Sequence, residues 1–205
     1  MTDQFQDKAQ DWDERPIPAQ ISAGVGALLL EKLPLRPSMR VMDFGAGTGL
    51  ICAHVAPRVE KIYAVDISES MLERLAAKPE LQGKVEPICQ NILETPLDKQ
   101  VDLIMSAMAM HHVEDTEQLL RVLATQLVPG GTLALADLDK EDGSFHPAGT
   151  EGVFHRGFDR DAIQTLLEKQ GFEAVEFTTA VEVTREGKRY PIFLVMATLA
   201  DRRPD

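Results

Sequence analysis

Three glycines at alternate positions form the clearest candidate binding element in this chain of 205 residues. Gly45, Gly47 and Gly49 follow a short apolar run at residues 41–44, and a helical run begins directly after them at Leu50. Glycine allows positive φ and lets the backbone approach a ligand closely. A strand, a glycine turn and a helix start together predict a cradle for a nucleotide-like ligand.

The spacing of these glycines and the residue before them indicate the kind of ligand. A dinucleotide-binding turn needs glycines at steps of two and then three, but Leu50 occupies the position of the third glycine. Asp43 lies in the predicted strand just before the turn and places a carboxylate at the ligand edge. That negative charge disfavours a pyrophosphate and suits a cationic ligand.

A second acidic residue stands where a ribose-binding carboxylate is expected. Asp66 ends the apolar run at residues 61–65, roughly 20 residues after Gly45, which is close to the usual spacing. A carboxylate can accept hydrogen bonds from both hydroxyls of a vicinal diol. We therefore assign Asp66 to a ribose; the alternative is that it only terminates a strand.

Two adjacent histidines are candidates for a general base. His111 and His112 follow the predicted strand 101–106, at the edge of the sheet where the ligand is expected. Imidazole titrates closest to neutral pH and is the commonest general base. We expect one of the two to take a proton from the substrate and the other to pack. The alternative is a structural role for both at the start of a helix.

A long loop at residues 138–158 carries a second polar group. It contains Asp139, His146 and His155 and leaves a predicted strand at its carboxyl end, where open α/β sheets bind ligands. Loops of this length in compact domains are usually functional. We predict that the loop closes over the substrate with both histidines facing the site; solvation of its charged residues is the alternative. Its carboxylates and imidazoles match no tight metal motif, so no metal is expected.

Alternating strand and helix patterns must position these groups. Strands are predicted at 41–44, 61–65, 85–88, 101–106, 133–136, 174–178 and 192–198, with helices at 21–33, after Leu50, after Ser68, after Asp115 and at 160–170. This alternation predicts an α/β fold with a doubly wound, mostly parallel sheet and helices on both faces. Residues 1–37 are expected to form an N-terminal arm and lid helix, and residues 38–205 the binding domain. The connection 179–191 is expected to carry Tyr190 over the site.

Composition limits the classes of partner. The chain has 33 acidic and 21 basic residues, a formal net charge of −12, which disfavours nucleic acid and anionic membranes. Cys52 and Cys89 are expected to pack as small hydrophobic residues in a reducing compartment. No apolar run is long enough to span a bilayer and the N-terminus is polar. We therefore expect a cytoplasmic protein with a small-molecule substrate, no nucleic acid and no membrane insertion, and we allow for a homodimer.

Taken in chain order, these motifs resemble those of a known family. The segments 43–49, 65–68, 101–112 and 127–131, followed by two closing strands, look like the class I (seven-strand, Rossmann-like) S-adenosylmethionine-dependent methyltransferases. The likeness is greatest to the small-molecule group related to ubiquinone and menaquinone biosynthesis enzymes, and residues 136–146 and 153–159 resemble a distinct bacterial subgroup. The resemblance implies S-adenosylmethionine as cofactor and the strand order 3-2-1-4-5-7-6 with an antiparallel seventh strand.

The resemblance also assigns individual residues to the cofactor. Asn91 stands where the family commonly has an acidic residue that accepts from the adenine amino group, a departure that its side-chain oxygen can make good. Ile67 and Ile92 would be apolar walls for the adenine or simply core residues, and Trp12 either covers the cofactor or a core edge. The expected cofactor-binding set is Trp12, Asp43, Gly45, Ala46, Gly47, Thr48, Gly49, Asp66, Ile67, Met71, Asn91, Ile92 and Ser106; the expected catalytic set is His111, His112, His146, His155 and Asp139.

These assignments imply methyl transfer to a small-molecule nucleophile. Two other functions stay open at this point. One is a non-catalytic S-adenosylmethionine-binding protein that regulates or scaffolds a partner. The other is an NAD-dependent oxidoreductase, which Leu50 in place of a third dinucleotide glycine disfavours.

Overall fold

A computed structural model describes Asp3 and residues 5–147 and 149–201. Met1, Thr2 and Gln4 of the predicted arm, Ala148 of the predicted loop and residues 202–205 lie outside the described residues. The strands are β1 Arg40–Phe44, β2 Lys61–Asp66, β3 Val85–Cys89, β4 Val101–Ala107, β5 Leu127–Leu138, β6 Phe172–Arg185 and β7 Lys188–Leu199. The helices are α1 Gln6–Ala9, α2 Pro16–Lys32, α3 Leu50–Val55, α4 Glu69–Ala76, α5 Thr116–Gln126 and α6 Arg160–Lys169.

The seven strands form one sheet in the order β3-β2-β1-β4-β5-β7-β6. The pairs among β1 to β5 are parallel, and β7 is antiparallel to both of its neighbours. The predicted fold class, strand order and antiparallel seventh strand are therefore confirmed. The chain changes direction across the sheet between β1 and β4, and a crevice at such a switch point is where open α/β sheets bind ligands.

Alternate side chains of the central strands enter two separate cores. Val41, Leu103 and Ala134 face the core that contains α2 and α3, whereas their neighbours Met42, Ile104 and Leu135 face the core that contains α5 and α6. Helices therefore cover both faces, as predicted. The central strands are apolar at nearly every position because neither face of the sheet meets water.

Helix α2 is longer than predicted and belongs partly to the core. It begins at Pro16 rather than at Ile21, because proline at the first helical position needs no hydrogen-bond partner and already has helical φ. Val25 and Leu29 are fully buried on the sheet. The helix thus anchors the N-terminal region firmly, and the division at residues 37 and 38 stays a prediction.

The predicted connection between the last two strands is wrong. β6 and β7 form one long hairpin joined by Glu186 and Gly187, both with positive φ, which is the turn geometry that suits the twist of a two-residue hairpin. Tyr190 pairs with Val183 inside this hairpin and is buried. The β-branched residues between 179 and 185 continue the strand, so Tyr190 does not lie on a loop over the site.

Strand β5 also extends beyond its predicted limits of 133–136. It begins at Leu127, directly after α5, and runs through Pro129 and Gly131 with a register shift against β4.

Among the described residues no helix combines the length and the apolar character that a membrane crossing requires.

Candidate active site

A cavity of about 410 Å³ opens at the carboxyl ends of β1, β2 and β4. Ligand pockets of small molecules fall in the range of roughly 300–1,000 Å³. Its walls are the glycine turn after β1, the ends of the neighbouring strands, the N-terminal arm, the first turns of α2 and part of the loop after β5. Predicted site residues on its wall are Trp12, Asp43, Gly45, Ala46, Gly47, Thr48, Asp66, Ile67, Met71, Asn91, Ile92, His111, His112 and His146.

The glycines of the turn have different surroundings. All three have positive φ. A Cβ at Gly45 would lie 2.2 Å from the Cβ of Ala109, and one at Gly49 would lie 2.9 Å from side-chain atoms of Leu75. A Cβ at Gly47 would meet nothing within 4 Å. Gly47 therefore borders open cavity space, while Gly49 packs against the core and is absent from the cavity wall, which corrects its assignment to the ligand.

Asp66 joins the glycine turn to the start of α4. Its carboxylate accepts hydrogen bonds from the backbone N–H of Gly47 at 2.8 Å and from that of Ser68 at 2.9 Å. Burial raises the pKa of Asp66. Each carboxylate oxygen keeps lone-pair capacity for a further donor, so the side chain can hold the turn and still accept from a ligand hydroxyl.

Asp43 is a buried acid at the floor of the cavity. It is 1% exposed and accepts a hydrogen bond from the Cys52 thiol, with Sγ 3.1 Å from Oδ2. Burial raises the pKa of Asp43 to about 7. Among the described residues, the side-chain partner that compensates its charge is a weak thiol donor, so a cation in the cavity would stabilise the ionised form.

The wall at the ends of β2 and β3 is mainly apolar. Ile67 is 68% exposed although it is a large hydrophobic residue, whereas Met71 and Ile92 are buried beside it. The Asn91 side chain already makes a local turn, because its oxygen accepts from Leu93 N at 3.1 Å and its nitrogen donates to Glu94 at 2.9 Å. That oxygen has room for one more donor, and its contact with an adenine stays a prediction.

The N-terminal arm lies over the mouth of the cavity. Phe5 meets Trp12 edge-on at 6.0 Å between ring centroids and His112 at 5.7 Å. Asp13 accepts a hydrogen bond from the Thr48 hydroxyl and pairs with Lys78 at 2.5 Å. Trp12 is on the cavity wall, an arrangement that favours the cover over the ligand among its two predicted roles.

Three histidines and one aspartate lie close together at the end of the cavity that adjoins the carboxyl ends of β4 and β5. His111 Nδ1 lies 2.8 Å from Asp137 Oδ1, and the His111 backbone N–H donates to Asp137 Oδ2 at 3.1 Å. His146 Nε2 lies 3.2 Å from His111 Nε2. His112 Nδ1 donates to the Gly152 carbonyl at 2.6 Å. The predicted approach of the loop to His111 and His112 is thus seen for His146.

The environment keeps two of these imidazoles neutral. Burial, reinforced by the neighbouring His111, lowers the pKa of His112 to about 4. Burial and the same neighbour, with His112, lower the pKa of His146 to about 4. Both rings therefore carry an unprotonated nitrogen at neutral pH and can accept a proton there.

Besides Gly49, three further predicted site residues lie outside the cavity wall for clear physical reasons. His155 donates to the Val113 carbonyl at 2.9 Å, and its ring lies 5.1 Å from that of Phe158, so it holds the loop against the segment before α5 and away from the cavity wall. Asp139 is held by Arg160 through two contacts of 2.7 Å. The Ser106 hydroxyl donates to the Phe44 carbonyl at 2.6 Å. The site assignments of His155, Asp139 and Ser106 are corrected accordingly.

Asp137 is the site residue that sequence reasoning missed. It is fully buried at the end of β5, beside the end of β4. The available signal was an acidic residue ending an otherwise apolar strand, next in the sheet to the strand that leads to His111. Met108 is a second omission: it lines the cavity with a φ of 60°, a strained conformation of the kind that clusters at functional sites. Among the described residues, no group of three or more side chains is placed to hold a metal ion.

Comparison of sequences finds similarity to methyltransferases. Residues 42–135 match the family model described as a methyltransferase domain. An uncharacterised methyltransferase of Schizosaccharomyces pombe is 28% identical over 158 residues, covering 69% of this chain and 56% of the relative. The trans-aconitate 2-methyltransferase of Variovorax paradoxus is 35% identical over 140 residues, covering 65% of this chain and 49% of the relative. The chain thus spans about half the length of these curated relatives.

Comparison of structures finds the same fold in solved methyltransferases. The N-methyltransferase NodS of Bradyrhizobium japonicum, solved with S-adenosyl-L-homocysteine, superposes with a TM-score of 0.72 over 96% of this chain and 94% of the other. The two sequences are 16% identical, so this likeness concerns the fold alone.

Proposed function

The chain belongs to the class I methyltransferases, and on that premise we propose that it methylates a small molecule with S-adenosylmethionine. The observation that carries the proposal is the charge of the cavity wall. Asp43 and Asp66 flank the glycine turn, and in the described part of the chain no lysine or arginine lines the cavity. Such a wall suits a cofactor with a sulfonium and an ammonium group and disfavours a dinucleotide, whose pyrophosphate is anionic.

The residues present fit this cofactor group by group. Asp66 is positioned to accept from the ribose hydroxyls, and the open space at Gly47 admits a ligand against the backbone. Asp43 offers a buried negative charge to the amino acid end, while Ile67 and Ile92 offer apolar surface to the adenine. When bound, S-adenosylmethionine supplies a methyl group activated by its sulfonium.

The protein's own contribution is to position the acceptor, exclude water and hold a proton. The arm residues Phe5 and Trp12 cover the cavity, which removes solvent from the reacting groups. Alignment of two reactants in one cavity supplies much of the rate in a displacement reaction. The neutral imidazoles at the cavity end are placed to take a proton from an acceptor that arrives protonated.

A small acceptor is supported by the size and charge of the site. The cavity of about 410 Å³ has to hold the cofactor and the acceptor together. The formal net charge of −12 repels a phosphate backbone from the surface. A compact organic molecule fits both constraints better than a nucleic acid does.

Calorimetry on an Asp66→Asn variant tests the proposal. We expect S-adenosylmethionine to bind the wild type and to bind Asp66→Asn at least tenfold more weakly, since hydrogen bonds to a charged group contribute about 1.5–3 kcal/mol. Asp139→Asn is the matched control, because that carboxylate is held by Arg160 outside the cavity, and its affinity should be unchanged.

Three other outcomes are informative. Equal affinity of the wild type and Asp66→Asn would contradict the assignment of Asp66 to the ribose. Binding of NAD without binding of S-adenosylmethionine would contradict the function itself. Binding of S-adenosylmethionine without formation of S-adenosylhomocysteine from any acceptor would favour a non-catalytic binding protein.

A further inference from the structure

The contact between Asp137 and His111 fixes the protonation pattern of the ring. Asp137 is 0% exposed and His111 is 1% exposed. The carboxylate faces His111 Nδ1 at 2.8 Å and also accepts the backbone N–H groups of His111 and Leu138. A carboxylate is an acceptor only, so Nδ1 carries the hydrogen, and in the neutral imidazole His111 Nε2 is then unprotonated.

His146 extends this pattern into the cavity. Its Nε2 lies 3.2 Å from His111 Nε2, and a hydrogen bond between two ring nitrogens needs a hydrogen on one of them. When His111 is neutral its Nε2 is the acceptor, and His146 Nε2 is then the donor. In the neutral imidazole the hydrogen on Nε2 leaves Nδ1 unprotonated. His146 is half-buried and lies on the cavity wall, and in the described part of the chain no hydrogen bond occupies its Nδ1.

We propose that Asp137, His111 and His146 form a proton relay in which His146 Nδ1 takes the proton of a neutral hydroxyl group on the methyl acceptor. This inference rests on the proposed methyltransferase function and specifies its substrate class. In this relay His146 is the catalytic base, since it lies half-buried on the cavity wall, and His111 and Asp137 are positioning residues that act through it.

Each proton and electron pair has a defined destination. The acceptor oxygen forms its new bond to the methyl carbon with a lone pair, and the electron pair of the broken carbon–sulfur bond stays on sulfur, which becomes neutral. The hydroxyl proton moves to His146 Nδ1, and the electrons of the O–H bond stay on oxygen. The Nε2 proton of His146 moves to His111 Nε2. The positive charge therefore ends on the His111 ring, in contact with the Asp137 carboxylate.

Without the relay, His146 would hold the proton of the acceptor poorly, because its surroundings disfavour a positive charge on its ring. The groups that face His146 are His111 and His112 from the turn after β4, Asp137 of β5 and Arg185 of β6. Burial, both imidazoles and Arg185 lower its pKa, and only Asp137 opposes them. A lone His146 would thus hold a proton poorly. Transfer of the second proton to His111 places the charge beside the carboxylate, where it is stabilised.

His112 is the competing candidate for the base, but it lacks a carboxylate partner. Its Nδ1–H donates to the Gly152 carbonyl, and Lys8 of the arm and His111 both disfavour a positive charge on it. Its ring packs edge-on against Phe5. We assign it to the cavity wall, where it shapes the space for the acceptor.

The relay and the cavity wall together define the acceptor. A carboxylate is already ionised at neutral pH and needs no base, whereas a phenolic hydroxyl, with a pKa of about 10, does. The described cavity wall has no lysine or arginine to receive an anionic substituent, and Phe145, Phe154 and Met108 add apolar surface near the histidines. The acceptor class is therefore an uncharged hydroxyl compound with a largely apolar, aromatic skeleton.

The protonation pattern can be measured without cofactor or acceptor. Nitrogen-15 NMR of the ligand-free protein at pH 7 should show His111 protonated at Nδ1 and His146 protonated at Nε2. In Asp137→Asn the preference of His111 for Nδ1–H should weaken, and the signal of His146 should change with it. A hydrogen on His146 Nδ1 in the wild type would overturn the proposal.

Turnover of phenols supplies the second readout. With uncharged phenols as acceptors, His146→Gln should lower kcat at least 100-fold, within the 10²–10⁴-fold range of general base catalysis. Its affinity for S-adenosylhomocysteine should stay within about twofold, because the hydrogen bond of His146 within the described residues is to His111. With nitro-substituted phenols that are already ionised at the assay pH, the loss should shrink to a few-fold. His155→Gln is the matched control from the same loop and should retain wild-type kcat, since His155 lies off the cavity wall.

The outcomes separate this inference from the proposed function. If S-adenosylmethionine does not bind at all, the proposed function fails. If it binds and only carboxylates, amines or thiols are methylated, or if His146→Gln loses equal activity with ionised and un-ionised phenols, the relay fails while the methyltransferase function stands. Circular dichroism and thermal unfolding of each variant exclude loss of the fold as the cause.

Discussion

Gly47 is needed both for the conformation of the turn and for the space that a ligand would occupy. Its φ of 53° favours glycine, and its N–H donates to Asp66, so the backbone there is fixed by the fold. The same position faces open cavity, where a ligand would touch the backbone. A side chain at Gly47 would therefore affect both the turn and the ligand.

Valine at two glycines separates these effects. Gly47→Val and Gly83→Val both place a β-branched residue at positive φ with no atom within 4 Å of the new Cβ, so each should lose roughly 1–2 kcal/mol of unfolding free energy from strain. Only Gly47→Val should lose affinity for S-adenosylmethionine, at least tenfold, because Gly83 is absent from the cavity wall. Chemical denaturation and calorimetry measure the two quantities. Equal affinities in the two variants would mean that the ligand does not approach Gly47.

The predicted site residues that line the cavity share a local signal in the sequence, and those that lie elsewhere do not. The glycine turn and Asp66 are identified by short-range spacing, and His111 by following a strand at the ligand edge. Asp137 acts on His111 across the sheet, and that contact follows only from the pairing of β4 with β5. His155 was misplaced because its direction depends on how an irregular loop folds back on α5.

At the scale of elements, the N-terminal arm is held over the cavity by its acidic residues. Asp3 contacts the hydroxyls of Ser68 and Ser70 at the start of α4, at 3.0 Å and 2.7 Å. Asp13 contacts Thr48 in the glycine turn and Lys78 after α4. The arm thus depends on the elements that form the cofactor cradle, and its closure should be coupled to cofactor binding.

Asp13→Asn tests this coupling, with Asp11→Asn as its matched control. Loss of the charge at Asp13 should loosen the arm, so acrylamide should quench Trp12 fluorescence several-fold more strongly and a protease should cleave the arm faster. Asp11 pairs with Arg15, its neighbour in the arm, at 2.8 Å on the surface. Surface pairs contribute little, so its variant should behave as wild type. Trp12 is the chain's one tryptophan, which makes the signal specific. Unchanged quenching in Asp13→Asn would show that the arm is held by its apolar contacts instead.

The long hairpin shows why element boundaries were harder to predict than element types. Residues 172–185 carry apolar and polar side chains without strict alternation, because β6 lies at the sheet edge and bulges twice against β7. Such a strand lacks the clear apolar run that identified β1, β2 and β4. Its turn residues, Glu186 and Gly187, were the available signal for a continuous hairpin.

At the scale of the whole molecule, two half-buried histidines with lowered pKa values and one buried aspartate with a raised pKa determine how the free energy of unfolding depends on pH. The pKa of His112 and of His146 is lowered to about 4, so the folded state binds fewer protons than the unfolded state between about pH 4 and 6.5, and stability falls as the pH falls through that window. The pKa of Asp43 is raised to about 7, so its contribution is full below about pH 3.8 and is lost as the pH rises towards 7. The two effects oppose each other.

Asp43→Asn should therefore reveal how His112 and His146 make the free energy of unfolding depend on pH. At pH 8 the variant should be more stable than the wild type by roughly 2–4 kcal/mol, since a buried carboxylate no longer has to ionise, and the difference should vanish near pH 4. The stability of the variant should also fall more steeply between pH 6.5 and 4 than that of the wild type. Denaturant unfolding at a series of pH values measures this, with the exposed Asp98→Asn as control. A variant no more stable than the wild type at pH 8 would mean that Asp43 is not ionised at a cost in the fold.

The β6–β7 hairpin holds the segment that carries His146 without lining the cavity. Lys188 reaches Asp142 and Ser144 at 2.7 Å and 3.0 Å, Tyr190 contacts the Ser144 hydroxyl at 2.7 Å, and Arg185 donates to the Phe145 carbonyl. In the proposed function, recognition of the cofactor would fall to the part of the chain near β1 and β2, and recognition of the acceptor to a segment that is held from the opposite edge of the sheet. This modularity makes the hairpin tip a natural target for directed evolution. Library diversity there should change which acceptors are accepted while the cofactor cradle is inherited intact.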